Sequence, residues 1–119
     1  MKRDDDLIRD LLFRIEAEGD HLSMDFTVTL GMSAEKRREV GHIRLLADAG
    51  FVALSGKSGD VVRITNDGHN FIAAIRDDTT WAKTKEVTSK AGVSILTVMF
   101  DVAVGLGKEK LTEITGLKL

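Results

Sequence analysis

Apolar side chains recur at Leu7, Ile8, Leu11, Leu12 and Ile15, and this spacing predicts a helix over residues 4–18 with Arg9, Asp10, Arg14 and Glu16 on its wet face. Asp4, Asp5 and Asp6 stand where carboxylates satisfy free amides and oppose the positive end of the helix dipole, and Gly19 supplies the stop. From Met24 to Leu30 the string MDFTVTL alternates and is rich in residues that suit a pleated surface, so it predicts a short strand at a sheet edge. Ser33 then opens a second helix in which Val40, Ile43, Leu46 and Ala47 form one stripe, while Arg37, Gly41 and Arg44 lie away from it. Leu45 falls off that stripe, and Gly50 ends the helix.

Two β-rich runs follow, Phe51 to Leu54 and Val61 to Thr65, and the turn-forming string SGKSGD between them predicts a hairpin. Thr65 or Asn66 caps the next helix, whose inward stripe is Phe71, Ile72 and Ile75. Asp77, Asp78, Thr79 and Thr80 break the pattern and offer a cap for a helix through Trp81 toward Lys90, closed by Gly92. Ser94 opens a last helix that is apolar on nearly all sides to Leu106 and amphipathic afterwards through Leu111, Ile114 and Leu117. The pattern has no internal repeat, linker or low-complexity tract, and it predicts an α+β, mainly helical chain.

A length of 119 residues suits a single domain with one modest core. A net charge of −2 gives no global attraction to nucleic acid, so any such binding needs a locally basic face. With no cysteine there are no disulfides, no thiolate chemistry and none of the usual structural zinc sites, which fits the cytoplasm. The opening MKRDDDLIRD has no apolar run after its basic residues and does not read as a secretory signal. The greasiest stretch, residues 91–107, is too short for a membrane span and contains Asp101, so a buried helix is expected there and no membrane partner.

The charges are distributed unevenly. Lys36, Arg37, Arg38 and Arg44 place four cations on the second helix, and Lys57 and Arg63 add two on the hairpin, although Glu35, Glu39 and Asp48 dilute the cluster. Such a set neutralises phosphates, and Arg37 or Arg44 reaching a base edge discriminates guanine; the bland alternative is a solvated face of mixed charge. His21, His42 and His69 are far apart in sequence, and His42 and His69 read as partly buried hydrogen-bonding residues rather than ligands. Neither a nucleophile elbow nor a triad is visible, so the expectation is no enzyme, no metal and no cofactor. Trp81 and Phe71 are expected in the core, with a stacking surface as the rival reading, and Asp77 and Asp78 are expected to cap or to pair with Arg76. The all-round apolar surface of residues 94–106 predicts contact with a second copy, a homodimer.

The order helix, short strand, helix and hairpin is that of a winged helix, a variant of the helix-turn-helix class. The string VGHIRLLADAGFVAL resembles the recognition helix and first wing strand of many bacterial winged-helix regulators, and RITNDGHNFIAAI resembles their second wing strand and the helix behind it. Read with the opening MKRDDDLIRDLLFRIE and with RITNDGHNFIAAIRDDTTWAKTK, nearly the whole chain resembles a family of small bacterial and prophage proteins known as a domain of unknown function. Gly68, His69, Phe71, Arg76, Asp77, Asp78 and Trp81 match that family's signature. One departure is plain: residues 20–32, where a supporting helix would stand, read as extended.

The winged-helix order predicts a core over residues 1–80, and the apolar last helix makes residues 81–119 a C-terminal extension that dimerises. The family resemblance itself supplies no biochemical function; the winged-helix order together with the local cations leads to the expectation of double-stranded DNA as partner and a phage or prophage type of transcriptional regulator. The phosphate contacts would come from Lys36, Arg38, Lys57 and Arg63, with Arg37 and Arg44 nearest the bases. The rival expectation is a protein-interaction module that binds a host or phage protein without DNA, its acidic residues Asp4, Asp5, Asp6, Asp77 and Asp78 facing a basic partner.

Overall fold

The computed structural model of the protein describes residues 1–19, 21–23, 30–56, 60–92 and 96–115. Its elements are α1 (Asp5–Ala17), β1 (His21–Ser23), α2 (Ala34–Asp48), β2 (Val52–Ser55), β3 (Val61–Ile64), α3 (Asn66–Ile75), α4 (Asp78–Lys90) and α5 (Leu96–Thr115). The architecture is mainly helical with a small antiparallel sheet. The chain divides into two compact units, Met1–His69 and Asn70–Leu119, the division falling within α3.

In the first unit the predicted stripes are the buried ones. Ile8, Leu11, Leu12 and Ile15 of α1 and Val40, Ile43 and Leu46 of α2 are almost wholly withdrawn from water, together with Phe51, Val52, Val62 and Ile64. Burying each such side chain contributes on the order of 1.5–3 kcal/mol, so this packing rather than helix propensity holds the unit together. Ser33 caps α2 as expected, its Oγ accepting from the Lys36 N–H at 3.1 Å. At the other end Gly50 takes φ +85°, its N–H donating to the Ala47 carbonyl while Phe51 N–H reaches back to Leu46. Those two bonds form a Schellman motif, which requires the left-handed conformation that glycine adopts without strain.

The sheet has the order β1-β3-β2. Val52 to Ser55 pair with Ile64 to Val61, and the other side of β3 pairs with β1 in the register His21↔Arg63, Leu22↔Val62, Ser23↔Val61. The first strand is thus an edge, but it lies ahead of the span Met24–Leu30 predicted for it. Residues 24–29 lie outside the described residues, and Leu30 is fully exposed in a turn beside Gly31, at φ +89°. The described part of the strand, residues 21–23, is held by pairing with β3 across some forty positions of sequence.

Thr65, not Asn66, caps α3: its hydroxyl accepts from Gly68 N–H at 3.0 Å and donates to the Gly50 carbonyl at 2.6 Å. The same carbonyl run holds the hairpin end, since Thr65 N–H donates to Phe51 O at 3.1 Å. In the second unit Asp77 caps α4 through Thr79 N–H at 2.7 Å and Thr80 N–H at 3.2 Å, as the sequence predicts. Trp81 and Phe71 are core residues, 4% and 0% exposed, and Phe71 meets Phe100 of α5 edge-to-face at 5.9 Å. Thr84 and Thr88 are buried on α4, each hydroxyl donating to the carbonyl four residues earlier. The predicted start of the last helix at Ser94 lies outside the described residues, and α5 is described from Leu96. No described helix is long and apolar enough to cross a membrane.

Candidate nucleic-acid interface

Burial of Val40, Ile43 and Leu46 turns the opposite side of α2 outward. Arg37 and Arg44, seven residues apart and hence stacked along one face roughly 10 Å apart, are both exposed, as is Arg38, while Lys36 is half-buried. Arg63 is exposed on β3, where its guanidinium donates to the Ile64 carbonyl at 3.3 Å. Lys57 lies outside the described residues. Five of the six predicted cations are therefore described, four on one helix and one on the sheet.

The segment Met1–Asp4, ahead of α1, is bound to α2, and nothing in the local pattern announces it. Asp4 makes three connections. Its Oδ1 caps α1, accepting from Asp6 N–H at 3.0 Å and Leu7 N–H at 3.2 Å. Its Oδ2 pairs with Arg38 Nη2 at 2.5 Å. Its own backbone N–H donates to His42 Nε2 at 2.8 Å. His42 is fully buried, and its Nδ1 lies 2.7 Å from the Arg38 carbonyl. An N–H donated to Nε2 requires a lone pair there, so the ring is neutral with its proton on Nδ1, donated to that carbonyl. The bond from Leu7 N–H, and then the Arg38 pair, hold the Asp4 carboxyl below its ordinary pKa of 3.8 against an opposing contribution from burial.

A second bridge joins the helices, Arg14 Nη1 to Glu39 Oε1 at 3.0 Å, with Asp10 on the other side of the guanidinium at 3.0 Å. These carboxylates raise the Arg14 pKa further above its ordinary value, Glu39 foremost. Met1 lies over Gly41, where a Cβ would come within 2.5 Å of the Met1 sulfur, the end of a flexible and largely exposed side chain. Lys2 is brought beside Arg37 and Arg38 around a cleft of about 360 Å³ walled by Met1 and Ala34.

His42 behaves as a buried hydrogen-bonding histidine, as the sequence suggests, but His69 is exposed. Among the described residues no cluster of three metal-ligating side chains occurs. Sequence reading missed Lys2 as a neighbour of the α2 cations; its only signal was a basic residue two positions before the Asp4 cap.

The family model described as "Hypothetical protein (DUF2513)" matches residues 2–94. No curated protein and no solved structure matches the chain.

Proposed function

The chain belongs to the DUF2513 family, and from the geometry of its first unit we propose that it is a winged-helix DNA-binding protein, a transcriptional regulator of phage or prophage type. The observation that carries the reading is the order α1-β1-α2-β2-β3 with sheet order β1-β3-β2, which buries one stripe of α2 and leaves Arg37 and Arg44 exposed on the other. In this reading α2 enters the major groove and the β2–β3 hairpin is the wing. Arg37 and Arg44 approach base edges, and Lys36, Lys57 and Arg63 take phosphates. Arg38 reaches a phosphate by exchanging Asp4 for it, and a half-exposed ion pair of this kind is worth only ~0–1 kcal/mol.

The second unit supports a homodimer. Along α5 Val98, Phe100, Val102, Val104 and Leu106 are only half-buried, and a groove of about 390 Å³ runs between α3 and α5, walled by Ala73, Phe100 and Val104. A second copy covering this face removes the apolar surface from water.

Anisotropy titration onto random duplex DNA at low and moderate salt tests the proposal. Four phosphate contacts per copy give a slope of log affinity on log salt of roughly −4 for each copy bound, and Arg37→Ala with Arg44→Ala removes sequence preference. No association at low salt overturns DNA binding and favours a protein-interaction module, for which a chain of net charge −2 is no handicap. Sedimentation equilibrium reads the dimer directly.

A further inference from the structure

We infer that the cleft between the Met1–Asp4 segment and α2 is a phosphate-oxyanion site formed by Lys2 and Arg37. Three cations, Lys2, Arg37 and Arg38, line one cleft of about 360 Å³. Arg38 is neutralised there by Asp4. Among the described residues no carboxylate pairs with Lys2 or Arg37, and both are exposed. Two like charges facing one space repel, and an anion between them removes that repulsion while gaining two charge-assisted hydrogen bonds.

The site is also fixed in place. The Asp4 amide on His42 holds the segment against α2 two residues from Lys2, and this bond does not depend on the Asp4–Arg38 pair. The cleft opens beside Ala34, the first residue of α2, where the partial positive charge of the helix dipole adds to the two side chains. Apolar walls from Met1 and Ala34 suit the carbon face of a sugar attached to the phosphate. The chemistry is that of a phosphate ester, and its source is either a DNA backbone, in which case Arg37 is drawn to a phosphate and Arg44 is left at the bases, or a free phosphate-bearing molecule. Only the first source rests on the DNA-binding reading.

Two measurements on the full chain separate these. Inorganic phosphate, titrated against chloride at matched ionic strength and followed by backbone amide shifts, is expected to give saturable changes at Ala34, Glu35 and Arg37 that disappear in Lys2→Ala and in Arg37→Ala. Both substitutions are at exposed positions, so folding is not at issue, and circular dichroism verifies it. On duplex DNA, Lys2→Ala is expected to weaken binding equally for all sequences and to lower the salt slope by about 1. Phosphate shifts without DNA binding sustain the site, assign it to a free phosphate compound and refute the DNA reading. DNA binding with an unchanged slope in Lys2→Ala, or no phosphate-specific shift in a chain that binds no DNA, overturns the site.

Discussion

Gly68 offers the sharpest stability test. It is buried in the first turn of α3, and a Cβ built on it stands 2.0 Å from the Phe51 carbonyl oxygen, 2.8 Å from Ile64 Cγ2 and 3.1 Å from the Phe51 carbonyl carbon. The nearest approach is roughly 1.4 Å short of the 3.4 Å at which ordinary contact begins, and the obstacle is backbone rather than a flexible side chain. That carbonyl accepts the Thr65 N–H at the end of the hairpin, so relief by movement breaks a hydrogen bond. Overpacking costs about 1–3 kcal/mol and the lost bond about 0.5–1.5, while alanine in place of glycine in a helix returns about 1. The net for Gly68→Ala is a destabilisation of about 2 kcal/mol, or about 8 °C in Tm for a chain of this length. Urea and thermal melts followed by far-UV circular dichroism measure it. Gly105→Ala is the control: nothing lies within 4 Å of its Cβ in α5, so propensity alone acts and stability rises by ~0.5–1 kcal/mol. An unchanged or raised Tm in Gly68→Ala, or equal losses in both variants, refutes the contact argument.

Removing the buried ring in His42→Ala leaves the Asp4 N–H without its acceptor, and a loss of about 2–3 kcal/mol in urea melts is expected. Asp77→Ala deletes a cap that accepts two amides, with an expected cost of ~1 kcal/mol and fraying of α4 that hydrogen exchange at Thr79 and Thr80 detects. The Asp4 pKa is lowered on folding, first by the Leu7 amide and then by Arg38, so its contribution is complete above the ordinary value of 3.8 and is lost as pH falls through the folded value. Stability of the wild type therefore declines more steeply below that pH than stability of Asp4→Asn; parallel curves contradict the assignment.

What could be read from the residues is what depends on near neighbours. The stripe Val40, Ile43 and Leu46 follows from a period of 3.6, and Ser33, Gly50 and Asp77 mark helix ends because the bonds they make lie within four residues. The cations of α2 were legible for the same reason, since burial of one stripe decides which side faces water. The pairing of His21–Ser23 with β3 was not, because three residues have no periodicity of their own and their partner stands some forty positions away. Nor was the hold of Asp4 on α2, whose partners are 34 and 38 residues away. A carboxylate that caps one helix looks the same in sequence whether or not its free oxygen and its amide serve a second helix. Lys2 went unnoticed with it, having no pattern of its own ahead of α1.

The pinned imidazole of His42 carries a kinetic consequence. Ring rotation has to break both of its bonds, one to the Arg38 carbonyl within α2 and one to the Asp4 amide, so release of the Met1–Asp4 segment is the step that frees the ring's outer side. Its nuclear resonance is therefore a clock on that opening: a sharp, slowly exchanging imidazole signal marks a closed joint, and its line width times each excursion of the Met1–Asp4 segment from α2.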